Sequence, residues 1–173
     1  MFGDKSIIEK IDNSDYSECI KHDRVFFTGT IFTHIDNQIE YVRDRKIIFN
    51  KVKGIVYNPG RCNYDKFLKL IKESKFSLDL NGVGDPNKRT FEILSSDSLR
   101  LSEYNDLKWP FPENFSEETI FSNADELIMK LNLLRNNKEL YKKCLLNQLN
   151  ISKKYLNKKW IKEYICKFIK NEL

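Results

Sequence analysis

The sequence predicts an α/β fold: an open, mostly parallel sheet flanked by helices, with further helices at the C-terminal end. Three observations predict it. Short β-branched and aromatic runs alternate with amphipathic stretches of helical period, which is the pattern of strand–crossover–strand units. Several of these runs stop at glycine or proline, as buried strands feeding loops do. The last third carries helical periodicity only. The chain has 173 residues, 40 % hydrophobic and 13 % aromatic, with twelve Phe and eight Tyr. That is enough apolar material to close a core, and it excludes wholesale disorder.

Residues 1–22 are polar with short amphipathic pieces and read as a helical lead-in to one domain over 23–173. "RVFFTGTIF" is the first strand, and it breaks at Thr28-Gly29-Thr30. Residues 34–52 read as a helix with apolar positions at Ile35, Ile39, Val42 and Ile47, closed by Gly54. "GIVYN" is a second strand, stopped by Pro59-Gly60. "NYDKFLKLIKESK" is an amphipathic helix with Tyr64, Phe67, Leu68 and Ile71 on one face. "FSLDL" is a third strand, "KRTFEILSS" a short helix and "SLRLS" a fourth strand. "WPFPENF" is irregular because of its two prolines, and "TIF" is a brief fifth strand. Asn123 is a helix N-cap, with Glu126 in the capping-box position. The helices "KELYKKCLLNQLNISKKYL" and "KKWIKEYICKFIKNEL" complete the chain.

Net charge is +5, concentrated in a Lys-rich last third. Such a balance admits anionic partners, although solvated helix faces are the plainer reading of those lysines. Tyr155, Trp160 and Tyr164 are spaced for an aromatic face laid on a core, which makes nucleic-acid stacking the weaker reading. Cys19, Cys62, Cys144 and Cys166 form no C-x-x-C pair, so reduced structural thiols in the cytoplasm are expected. No apolar run reaches the roughly 18 to 20 residues of a membrane span. His22 and His34 have no ligand-spaced partner, and no metal site is expected.

The chemistry concentrates in two loops that follow strands. In open α/β sheets, ligands sit beyond the carboxyl ends of the strands. One such loop is Thr28-Gly29-Thr30; the other is Asn81-Gly82-Val83-Gly84-Asp85-Pro86-Asn87-Lys88-Arg89. A glycine loop before a helix start presents backbone N–H groups to an anion. Cations oppose the helix dipole at a first turn, so Lys88 and Arg89 are better explained as phosphate binders, Arg as a fork and Lys as a point charge. Glu92 shares the helix face of Arg89 and can accept from the vicinal hydroxyls of a ribose. The plainer alternatives are surface ion pairs with Asp85 or Glu92, and ordinary turn glycines.

The stretch "FLKLIKESKFSLDLNGVGDPNKRTFEILSSDSLRL" resembles the nucleotide-sugar-binding half of GT-B-fold glycosyltransferases. The most specific match is Arg89-Thr90-Phe91-Glu92; Ser95-Ser96-Asp97 stands where the family usually has a glycine. "RVFFTGTI" resembles the first strand and glycine loop of the same half. The resemblance implies a Rossmann-like domain that binds a nucleotide diphosphate sugar and transfers the sugar to a hydroxyl acceptor. It implies that Glu92 binds the ribose, that Arg89 and Lys88 face the diphosphate catalytically, and that Gly29 and Thr30 line the phosphates. Gly82 and Gly84 would let backbone approach the donor sugar. Asp85 falls in the region where many relatives carry a first glutamate. The family implies no metal cofactor. An N-terminal acceptor-binding domain is not recognised, so a second chain or a homodimer is expected to complete the cleft. A non-catalytic nucleotide-binding half-domain is the alternative reading.

Overall fold

The computed structural model describes residues 22–29, 40–81, 88–104, 114–157, 159 and 162–163. Residues 1–21 of the expected lead-in, Thr30, His34, Gly82, Gly84, Asp85, Trp109, Phe111, Trp160 and Tyr164 lie outside the described residues, as does the side chain of Lys88; His22, placed in the lead-in, begins the first strand. Among the described residues the chain runs β1 (His22–Phe26), α1 (Glu40–Val52), β2 (Val56–Tyr57), α2 (Tyr64–Lys72), β3 (Ser74–Asp79), α3 (Lys88–Leu94), β4 (Leu99–Glu103), β5 (Ile120–Phe121), α4 (Ala124–Asn136) and α5 (Lys138–Tyr155). The strand order is β2-β1-β3-β4-β5, and every pairing is parallel. The open, parallel α/β sheet expected from the alternation, Rossmann-like as the resemblance implied, is therefore the one observed.

Alternation along the central strands builds two cores. Val25 and Phe27 join Phe76, Leu78, Leu80, Leu99 and Leu101 under α1, α4 and the first part of α5. Phe26, between them, points to the other face and packs on Phe67, Leu70, Ile71 and Ile93 of α2 and α3. The sheet is thus covered on both sides, as a parallel sheet requires. A third cluster of Leu94, Ile151, Tyr155 and Leu156 ties the end of α5 to α3. Tyr155 is a core residue, as its spacing implied. Lys142, Lys143, Lys153 and Lys154 are exposed, in line with solvated helix faces.

One apolar position read for the first helix, Ile47, needs correction. Ile47 is 51 % exposed, whereas Ile48 and Val52 enter the core. Ile47-Ile48-Phe49 is a continuous apolar run, so its periodicity leaves the phase open by one residue, and one residue is ~100° of helix. Tyr64 is also exposed; it stacks on Phe67 with ring centroids 6.2 Å apart.

Among the described residues, Cys62 and Cys144 are free thiols. Burial pushes the Cys144 thiol up, which suits a structural residue rather than a nucleophile. No helix among the described residues is long and apolar enough to cross a membrane.

Candidate functional site

The strand order fixes where a ligand crevice opens. From β1 the chain moves outward to β2, and from β3 it moves the opposite way to β4. The connecting helices α1 and α3 therefore leave on opposite faces of the sheet. The junction between β1 and β3 is a topological switch point, where open α/β sheets place their ligands. Both loops singled out in the sequence leave from this junction. Gly29 follows β1, and the segment beginning at Asn81 follows β3.

Gly29 and Arg89, distant in sequence, meet there. A Cβ built on Gly29 would lie 2.8 Å from Arg89 Nη1 and 2.7 Å from Phe27 Cζ. Only the missing side chain lets the guanidinium occupy that position. The Arg89 guanidinium also sits over the Phe27 ring, 5.5 Å from its centroid, a favourable placement for a cation. Arg89 belongs to the first turn of α3, and Glu92 follows one turn later on the same helix. Both are half-buried, and Arg89 Nη1 and Glu92 Oε1 are buried atoms. Lys88 opens the same helix.

The exit of β3 is held by contacts that the sequence did not reveal. Arg45 of α1 donates from Nη2 to the Leu80 carbonyl at 2.8 Å. The Asn81 N–H donates to Glu103 Oε2 at the end of β4, also at 2.8 Å. Asn81 Nδ2 donates to the Tyr104 carbonyl at 2.8 Å. Asp79, the last residue of β3, is buried and pairs with Arg100 Nε at 2.7 Å. Nothing local marks Arg45 or Glu103, because their partners come from other elements. The one sequence signal is that Arg45 shares the stripe of Ile48 and Val52 on α1, where a cation is out of place.

Comparison with known proteins agrees with this fold. The glycosyl transferase-like family model matches residues 40–164. No curated protein matches the chain. Among solved structures, phage T4 BGT in complex with UDP and Mn2+ is similar at 18 % identity and a TM-score of 0.57; the match covers 95 % of this chain and 53 % of that one. The DNA modifying enzyme beta-glucosyltransferase, solved in the presence and absence of uridine diphosphoglucose, is similar at 19 % identity and a TM-score of 0.56, covering 95 % and 56 %. The chain spans about half the length of these structures. At such identities the likeness establishes the fold.

One expectation is overturned. The sequence reading had no metal at the site, yet the phage T4 structure holds Mn2+ together with UDP. The physical reason is that a divalent cation at a diphosphate can be held by the phosphates and one or two carboxylates, and needs no dedicated protein cage. Among the described residues no group of three His, Cys, Asp or Glu side chains could hold a metal. The residues described therefore do not form a cage of their own.

Proposed function

The chain belongs to the glycosyl transferase-like family, and from that membership we propose that it binds a nucleotide diphosphate sugar at the β1–β3 junction. The observation that carries the reading is the meeting of Gly29 and Arg89 at the switch point. In this reading Arg89 grips the diphosphate through its fork, and Lys88 adds a point charge. Gly29 and Thr30 line the phosphates, Gly82 and Gly84 give backbone access to the donor sugar, and Glu92 accepts from the ribose hydroxyls.

The reaction is glycosyl transfer. An acceptor hydroxyl oxygen forms a bond to the anomeric carbon of the sugar. The bond from that carbon to the diphosphate oxygen breaks, its electron pair stays on the diphosphate, and the hydroxyl proton passes to solvent or a base. Stabilising the departing diphosphate is the task of Arg89 and Lys88, since charge develops there in the transition state. The second reading is a half-domain that binds donor without turning it over; the share of the solved structures that the chain spans favours keeping it. The cytoplasm is the proposed compartment, in keeping with the free thiols.

Calorimetric titration with UDP, GDP and their sugars, with and without Mn2+, tests the binding site. Arg89→Ala and Glu92→Ala are each expected to weaken diphosphate binding by about tenfold or more, as loss of a charge-assisted contact does. Unchanged affinity in both variants would remove the site. Turnover of donor sugar by the wild-type chain selects the enzyme over the binding half-domain.

A further inference from the structure

Arg45 is a cation that this reaction scheme leaves unused. It is 7 % exposed, its Nε is a buried atom, and its Nη2 donates to the Leu80 carbonyl at 2.8 Å. A guanidinium cannot shed its charge in a protein, and burying it is costly. Its place in the fold offers a reason to keep it.

Phe26 of β1 pairs with Ser77 of β3. Gly29 and Leu80 each lie three residues beyond that pair, where the chain leaves the two strands. Arg89 lies against Gly29, and Arg45 is bonded at Leu80. Arg89 comes from α3 and Arg45 from α1, helices on opposite faces of the sheet. The Arg89 guanidinium, resting on the Phe27 ring, reaches over to the face that α1 covers, so two guanidinium groups stand at the exits of β1 and β3 on that side. The Glu103 carboxylate, which takes the Asn81 N–H, comes from β4 on the far flank of β3 from β1.

The geometry points to Arg45 as a second cationic determinant of the diphosphate site, acting by charge from beside the junction while its Nη2 fixes the Leu80 carbonyl. This rests on the donor-binding reading above. In a poorly solvated wall a fixed charge is screened less than at the surface, so it reaches a ligand it need not touch. The charge favours diphosphates over the uncharged nucleoside; a purely structural Arg45 would support both alike.

The test compares UDP and uridine by calorimetry in the wild-type chain, Arg45→Gln and Arg45→Lys, with Arg89→Gln as the reference for a direct contact. Arg45→Gln is expected to lose about tenfold in UDP affinity, with uridine affinity unchanged and a weaker salt dependence for UDP. Arg45→Lys keeps a charge and is expected to keep the preference for UDP over uridine. Equal weakening of both ligands in either variant, or UDP affinity in Arg45→Gln equal to wild type, overturns the inference. Should Arg45→Gln fail to fold, Arg45→Lys decides: a loss of the preference for UDP despite the retained charge also overturns it. UDP binding that needs Arg89 but not Arg45 sinks this inference alone. No binding of any nucleoside diphosphate by the wild-type chain sinks the donor site with it.

Discussion

At Gly29 an added methyl group would lie 2.7 Å from Phe27 Cζ and 2.8 Å from Arg89 Nη1, closer than packed atoms sit. The Phe27 ring rests against Phe49, centroids 5.4 Å apart, and is part of the core. The end of the Arg89 side chain is the softer neighbour and gives way first. Gly29→Ala is therefore expected to cost about 1–3 kcal/mol of stability, and to lower UDP affinity by moving the guanidinium. Urea unfolding and calorimetry on the one variant read both effects; wild-type UDP affinity would refute the role given to Gly29. Asp79 and Arg100 make a second residue-scale case. Both are buried and bonded at 2.7 Å, so removing one leaves the other's charge in the core. Asp79→Ala is expected to cost about 3–5 kcal/mol. The double variant Asp79→Ala, Arg100→Met should recover part of that loss in urea midpoints, because no charge then remains buried. A double variant less stable than Asp79→Ala would contradict the pairing argument.

The start of α4 was legible in its sequence, except that the Glu126 bond closes one residue earlier than a capping box places it. Asn123 Oδ1 accepts from the Asp125 and Glu126 N–H groups. Glu126 reaches back to the Ser122 N–H at 2.7 Å, one residue before the cap. Asn123→Ala is expected to cost about 1 kcal/mol. The Lys130 hydrogen bond, then the Ser122 N–H, hold Glu126 below its ordinary value of 4.5. A carboxylate lowered in the folded state contributes stability above its unfolded value and loses it as pH falls through the folded one. The urea midpoints of wild type and Glu126→Gln should therefore differ at pH 7 and converge as pH falls below the carboxylate range. A gap independent of pH would assign the effect to packing. The first helix was less legible. Its apolar run fixed helix but not phase, and the burial of Ile48 rather than Ile47 depends on the neighbouring α4. Arg45 lies on the buried stripe with Ile48 and Val52, and nothing local says that a cation there finds a carbonyl of β3's exit.

At the scale of the molecule, the alternation of strand and helix foretold the parallel sheet, but not that β1 lies between β2 and β3. Strand neighbours are chosen by packing between distant segments, which no local pattern encodes. The site divides in the same way. Arg89 and Glu92 were readable because they share one short helix. The approach of Gly29 to Arg89, and the hold of Arg45 and Glu103 on the β3 exit, exist only once the sheet is assembled. A ligand seated at this junction touches segments leaving both β1 and β3, so it must stabilise the assembled sheet as a whole. At one hundred times its dissociation constant, UDP is expected to add about 2.7 kcal/mol. For a chain of this size that raises the thermal midpoint by about 5–10 °C. Because phosphates can carry a divalent ion, adding Mn2+ should enlarge the shift given by UDP and leave that of uridine unchanged. Thermal unfolding with UDP, uridine and Mn2+ in all combinations reads both effects. No midpoint shift at saturating UDP, with or without the metal, would mean that the junction does not hold a nucleoside diphosphate.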